Sequence, residues 1–164
     1  MKVVHGGTTV AGQVTLDLCG GGYASEQLRT ARRQTALKKG RIVLSNEVVR
    51  YRDDGAAQAY SELKARAAHC PSHPVVMPEA GSPRVKFTIQ PLRSIHGLVK
   101  DTVAVRITAA ADGRVEHGVG VYQFAGTWLA AVYSFQADAA TLRAVTQVAE
   151  IEAARLTETS GTSA

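Results

Sequence analysis

The sequence has few aromatic residues, no long apolar run and no apolar leader. Phe, Trp and Tyr make up 5% of its 164 residues. None lies in the basic stretch RTARRQTALKK, so the aromatic platforms on which single-stranded nucleic acids stack are missing there. No run reaches the 18 apolar residues that indicate a transmembrane helix. The N-terminus MKVVHGGTTVAG lacks the apolar segment of a signal peptide. We therefore expect either a cytosolic protein or a mature segment whose leader has been removed.

The net charge of +5 is spread along the chain and is not gathered in one block. A basic protein attracts nucleic acid or an anionic membrane surface, but dispersed Lys and Arg residues favour an ordinary solvated face. Nucleic-acid binding by a cytosolic protein is the alternative prediction. It would use the densest basic stretch, with Arg29, Arg32, Arg33, Lys38 and Lys39.

Alternation of apolar and polar residues predicts several strands. They cover 14–18, 30–38, 85–89 and 103–107, and the stretches VEHGVGVYQF and WLAAVYSF follow. A helical turn is expected near Ser25. Short connections, one of them at Asp112-Gly113, make the last three strands antiparallel hairpins. The proline-rich stretch 71–83 predicts a loop.

Two amphipathic segments predict helices. The first, DDGAAQAYSELKARAAHCP, begins with aspartates that can cap a helix and ends at a proline; the second runs from Asp138 to about Leu156. These elements predict an α+β fold, a twisted antiparallel sheet of about six or seven strands covered by two long helices. We assign residues 14–157 to a single domain, 1–13 to a flexible N-terminal segment and 158–164 to a disordered tail.

One face of the predicted sheet carries polar residues opposite the core positions. If the strands are in register, a shallow groove would contain Lys86, Thr88, Gln90, Arg106, Thr108, Gly118, Gly120 and Tyr122. The alternative is the wet face of a one-sided sheet. Our candidate ligand-binding residues are Glu47, Arg50, Tyr51, Arg106 and Tyr122. Because Arg50 and Tyr51 are neighbours, only one of them can line the groove of a regular strand.

The chain has two cysteines, Cys19 and Cys70, which end a predicted strand and a predicted helix. They could meet at one sheet edge as a disulfide, which would indicate an extracytoplasmic protein. Two free buried thiols in a cytosolic protein are the main alternative. A zinc site with His69 and His73 is disfavoured because no CxxC pair exists, and HCPSH offers no paired catalytic imidazole. We expect no metal and no cofactor.

The motifs LDLCGGGYASEQLRTARRQ, SNEVVRYRDDGAAQAYSELKARAAHCP and GVGVYQFAGTWLAAVY, with the Ala-rich final helix, resemble the actinobacterial sensor-domain lipoproteins. The chain is more distantly similar to the extracellular sensor domain of PknH-type serine/threonine kinases. The resemblance covers about residues 14–156. It implies a non-enzymatic, secreted or cell-surface domain with a disulfide between Cys19 and Cys70 and a cleft for an unidentified ligand. The second disulfide of the kinase sensor domain is absent, because this chain has only two cysteines.

The resulting prediction is an extracytoplasmic ligand-binding or sensory domain whose ligand is small and, if Arg106, Arg50 and Lys86 line the groove, anionic. A signalling partner protein is expected, and membrane attachment would require an anchor outside this chain. A second alternative is a small hydrolase with Glu47, His96 or His117 as acid or base. Nothing in the sequence places these three groups together.

Overall fold

A computed structural model describes residues 1–11, 13–76, 84–93 and 95–161. Within these residues the fold is α+β, as predicted, but the sheet has eight strands, so the expected number was too low. The helices are α1 (Gly55–Ala68) and α2 (Ala139–Gly161), and short 3-10 turns cover Leu18–Gly20 and Ala24–Leu28. The strands are β1 (Lys2–Gly7), β2 (Arg29–Lys39), β3 (Ile42–Tyr51), β4 (Val75–Val76), β5 (Arg84–Pro91), β6 (Asp101–Ala111), β7 (Arg114–Ala125) and β8 (Trp128–Ser134).

The strand order is β1-β2-β3-β8-β7-β6-β5-β4, and every neighbouring pair is antiparallel. The β6–β7–β8 meander confirms the predicted hairpins. Asp112 and Gly113 have φ angles of 49° and 75°. Two successive positive φ angles are what a two-residue type I′ hairpin turn requires.

A helix packs on each face of the sheet. On the α1 face, Tyr122 and Phe124 of β7 join a buried cluster with Leu63 of α1. On the α2 face, Val119 of β7 belongs to a second cluster, with Val145 of α2. Because successive side chains of a strand point to opposite faces, β7 contributes to both cores. The sheet is therefore not one-sided at its centre.

The predicted strand at 14–18 is wrong. Two of its backbone N–H groups, those of Thr15 (3.0 Å) and Leu16 (3.2 Å), donate to the Glu26 carboxylate. Among the described residues, no strand pairs with this segment. Leu16 and Leu18 are nevertheless buried. The segment packs Leu16 and Leu18 on the α1 face as irregular chain, whereas Val14 is exposed and Thr15 is buried. Alternation therefore predicted the burial of two of the three apolar side chains, and it predicted the wrong element.

The chain ends of the domain also differ from the sequence prediction. Residues 2–7, placed in the flexible segment, form β1 on the outer side of β2. KVVHGG lacks the alternation that would have predicted this strand. Helix α2 extends to Gly161, into the predicted tail, and residues 162–164 lie outside the described ones. Of the predicted proline-rich loop, residues 75–76 form β4, and 77–83 lie outside the described residues.

The two predicted helix caps have different outcomes. Asp138 Oδ1 accepts the backbone N–H groups of Ala140 (2.9 Å) and Thr141 (2.8 Å), so Asp138 is an N-cap as predicted. Asp54 occupies the N-cap position of α1 but makes no capping hydrogen bond through its side chain. The predicted capping interaction of α1 is therefore absent, although its helix begins close to where it was expected.

Candidate functional site

The register of β6 and β7 decides which residues share a face of the sheet. Arg106 pairs with Val119, and Ile107 pairs with Gly118. Gly118, and with it Gly120 and Tyr122, therefore lies on the α1 face, opposite to Arg106. The prediction of a groove with an aromatic wall was wrong because it placed β7 one residue out of register with β6. A shift of one residue moves all side chains of a strand to the opposite face.

The five predicted ligand-binding residues do not form one site. Glu47, Tyr51 and Tyr122 are buried on the α1 face. Arg50 lies on the other face, where its guanidinium stands 5.7 Å from the ring centre of Trp128. Arg106 is on that face too, but on β6. As expected for a regular strand, Arg50 and Tyr51 point to opposite sides of β3.

Glu47 belongs to a buried polar network on the α1 face. Its carboxylate forms an ion pair with Arg32 and accepts a 2.8 Å hydrogen bond from the Thr15 hydroxyl. Arg29 donates to the same hydroxyl oxygen (2.8 Å) and forms an ion pair with Glu26 (3.0 Å). Two arginines from the basic stretch are therefore used inside the protein. The predicted nucleic-acid surface included Arg29 and Arg32, but both side chains are buried and are not available to a nucleic acid.

The glycines after Cys19 allow a close approach at the disulfide. Cys19 and Cys70 are bonded, with their Cα atoms 5.6 Å apart, and the bond ties the first 3-10 turn to the end of α1. Gly20 has a φ of +63°, and a Cβ there would lie 2.5 Å from Cγ2 of Val75. A side chain would be both strained and obstructed at this position. This accounts for glycine immediately after the cysteine.

A cavity of about 670 Å³ opens on the α2 face beyond the start of α2, and we call it the Arg106 cavity. It contains four of the groove residues predicted from the sequence, namely Gln90, Arg106 and Thr108 together with the backbone of Gly118. His117 and Thr108 interact across the strands, with Nδ1 3.1 Å from Oγ1. The lining consists of Gln90, Arg106, Ile107, Thr108, His117, Gly118, Ala137 and Asp138.

The Arg106 guanidinium has no ion-pair or hydrogen-bond partner among the described residues. It is half-buried and lines the cavity, with Gln90 directly opposite it in the β5–β6 ladder. The one carboxylate in the lining, Asp138, accepts hydrogen bonds from the first turn of α2. Arg106 is thus the charged group that the protein leaves available in this cavity.

A second cavity, which we call the end cleft, has a volume of about 720 Å³ and shares His117 with the first. It lies at the end of β8, between β3 and β7. Gln34 connects it with the buried network: its amide accepts from Arg32 (2.9 Å) and donates to the Tyr133 hydroxyl (2.9 Å) and to Ser45 (3.1 Å). Burial raises the pKa of Tyr133, so this hydroxyl stays protonated at neutral pH.

Sequence reasoning missed a buried carboxyl group in α2. Glu152 is 7% exposed and accepts a hydrogen bond from the Asn46 amide, while its Oε2 has no partner. Burial raises the pKa of Glu152 to about 8. A signal was present, because Glu152 falls on the buried stripe of α2 between Ala149 and Leu156. A charged residue on an apolar helical stripe indicates a buried ionisable group.

The predicted acid and base candidates do not come together as a catalytic group. Glu47 is buried in its ion pair with Arg32 on the α1 face, whereas His117 lies across the sheet in the Arg106 cavity. His96 is exposed and lines neither cavity. Among the described residues, no cluster of His, Cys, Asp and Glu side chains is suited to a metal ion. Neither described helix has a stretch long and apolar enough to cross a membrane.

Comparison with protein-family models, with curated proteins and with solved structures gives no match. The resemblance to sensor-domain lipoproteins therefore stays a prediction from the sequence motifs.

Proposed function

We propose that this protein is a non-enzymatic domain that binds a small anionic ligand in the Arg106 cavity and works outside the cytoplasm. One observation carries the proposal: a guanidinium without a partner among the described residues lies in a cavity of about 670 Å³. An arginine fork binds carboxylate or phosphate oxygens through two parallel N–H groups. An anion would supply the partner that Arg106 lacks.

The surroundings of Arg106 suit a small anion with further hydrogen-bonding groups. Gln90, Thr108 and His117 place amide, hydroxyl and imidazole groups around it. Lys86 does not line the cavity, but it lies farther along the same face of β5 and adds positive charge to that face. The net charge of +5 favours the approach of an anion over that of a cation.

The disulfide supports a location outside the cytoplasm. Disulfides persist in oxidising compartments and are rare where thioredoxin and glutathione keep thiols reduced. The Cys19–Cys70 bond lies in the motifs that resemble secreted sensor domains. A sensory role, with a signalling partner protein that reads ligand binding, is part of this proposal.

Binding is favoured over hydrolysis because the ionisable groups are separated or already paired. Glu47 is compensated by Arg32, so it is poorly placed to accept a proton from a substrate. His117 has Thr108 as its neighbour and no carboxylate within a hydrogen bond among the described residues. A catalytic base normally has an orienting partner of that kind.

Isothermal titration with phosphate, sulfate and succinate tests the proposal. Arg106→Gln should weaken binding of the best of these anions at least tenfold. Arg52→Gln, which removes the same charge from an exposed position outside both cavities, should leave the affinity unchanged. Equal losses in the two variants would show a non-specific effect of net charge. An unchanged affinity in Arg106→Gln would refute binding at Arg106.

A further inference from the structure

The end cleft exists because β8 is shorter than both of its neighbours. The β7–β8 ladder ends at the pair Val119 and Ser134, and the β3–β8 ladder ends at the pair Ser45 and Tyr133. Both β3 and β7 continue past these pairs. The ends of the β2–β3 and β6–β7 hairpins therefore project beyond β8 and enclose a space of about 720 Å³.

The edge of β7 that faces this space has backbone groups without a strand partner. The two-residue turn after β6 pairs Ala111 with Arg114, and in such a hairpin this closing pair is hydrogen-bonded. Bonding to β6 then alternates along β7, so the N–H and C=O groups of Val115 and His117 point away from β6. In the described part of the chain, no β8 residue lies opposite these two. An edge of this kind can accept another strand.

Apolar side chains gather around the same opening. Val43, Val115 and Phe135 are 43%, 58% and 67% exposed, and all three line the end cleft. They come from three different strands or strand ends. Val43 and Phe135 lie on the α1 side of this opening, and Val115 lies on its α2 side. Large apolar side chains around one opening indicate an interaction surface more strongly than the same residues scattered singly.

The charge around the cleft indicates what would bind there. Lys38, Lys39 and Arg41 are exposed at the turn of the β2–β3 hairpin. Glu116 is the single carboxylate among the described residues that line the cleft. The hairpin is therefore complementary to acidic side chains.

We propose that the end cleft binds an extended acidic segment of a partner protein, which pairs as an added strand with β7 at Val115 and His117. Strand addition obtains affinity from backbone hydrogen bonds and specificity from alternate side chains. Apolar residues of the segment would face Val43 and Phe135, and its acidic residues would face the β2–β3 turn. This site is separate from anion binding by Arg106, although His117 borders both.

The acetylated hexapeptide EVDVEV is the probe for this site. NMR-detected hydrogen exchange should show the Val115 and His117 amides protected at least tenfold when the peptide is added. The basic peptide KVKVKV should bind at least tenfold more weakly. Equal binding of the two peptides would refute the acidic preference, and absence of binding up to millimolar concentration would refute the site.

Variants separate the cleft from other surfaces. Phe135→Ala should weaken binding of EVDVEV at least tenfold, whereas Ile151→Ala, at a similarly exposed apolar residue of α2, should not. Val115→Pro removes one cleft-facing N–H and should also weaken binding, with the melting temperature as a check on folding. Binding that survives both cleft variants would overturn the proposal. Arg106→Gln should leave peptide binding intact, so failure of the anion site and failure of the cleft are distinguishable.

Two other occupants of the cleft would also overturn the proposal. If another segment of this chain already covers the edge, the Val115 and His117 amides will be protected without peptide at every protein concentration. If a second copy covers it, this protection will increase with protein concentration together with a dimer in light scattering. The proposal predicts unprotected amides and a monomer.

Discussion

Gln90 lies directly opposite Arg106 in the β5–β6 ladder, and both residues line the same cavity. This pairing places a neutral side chain where a carboxylate would neutralise the guanidinium. The arrangement leaves Arg106 available to an anion from solution.

Gln90→Glu is therefore expected to block the Arg106 cavity. The new carboxylate would pair with Arg106 across the strands, and phosphate or succinate binding should weaken at least tenfold. Gln27→Glu provides a control with the same chemical change at an exposed residue of a 3-10 turn. If calorimetry gives the same anion affinity for Gln90→Glu and the wild type, Arg106 is not the anion's partner.

Removal of the disulfide should destabilise the fold substantially. The bond joins residues separated by 51 positions, and for a loop of that length the chain-entropy model gives about 4 kcal/mol of stabilisation. Urea denaturation of the Cys19→Ala/Cys70→Ala variant should show a lower midpoint than the oxidised wild type. The reduced wild type should shift similarly. Coincident midpoints for all three would mean that the cysteines are not bonded in the folded protein.

The buried Glu152 carboxyl should make stability depend on pH. Its folded-state pKa of about 8 lies above the ordinary value of 4.5. The folded protein therefore holds this proton more tightly than the unfolded chain does. The contribution to stability is complete below pH 4.5, and it is lost as the pH rises to about 8.

Glu152→Gln should remove this component, because glutamine keeps the hydrogen-bonding shape without titrating. The free energy of unfolding should fall less between pH 5 and pH 8 in the variant than in the wild type. Glu150→Gln, at an exposed position of the same helix, should retain the wild-type slope. Parallel stability curves for the wild type and Glu152→Gln would show that Glu152 is not buried as a neutral acid.

The Arg32–Glu47 ion pair should be structural. Glu47→Ala leaves the Arg32 guanidinium buried without compensation, which costs about 3–5 kcal/mol. The double variant Arg32→Met/Glu47→Leu should be less destabilised than Glu47→Ala alone, because it removes both charges. Thermal unfolding of the three proteins gives the comparison. A Glu47→Ala protein as stable as the wild type would contradict the buried pair.

The fold class was predictable because the strongest patterns are local. Alternation located β5 and β6, and the Asp112-Gly113 dipeptide located the turn between β6 and β7. Strand β1 could not be found this way, because KVVHGG pairs with β2 through its backbone and has no alternation of apolar and polar residues in its sequence. This strand forms because the outer edge of β2 is available for pairing, and no sequence pattern indicates that edge.

The sites were predictable only in part, because they depend on register. Arg106 was identified correctly as a residue of a polar sheet face, together with Gln90 and Thr108. Tyr122 was assigned to that face, although it points to the α1 core. The part of β7 from Gly118 to Phe124 is buried on both sides, so it has no polar face that would show which of its residues point to which face. The end cleft was missed entirely, because it results from the different lengths of β3, β8 and β7.

Amide chemical shifts recorded during a screen of small anions would show whether the Arg106 cavity binds an anion. We expect the hits to perturb the amides of Arg106, Thr108 and His117, and we expect these perturbations to disappear in Arg106→Gln but not in Arg52→Gln. If no anion moves these amides, or if the hits perturb another surface and persist in Arg106→Gln, the Arg106 cavity is not the ligand site.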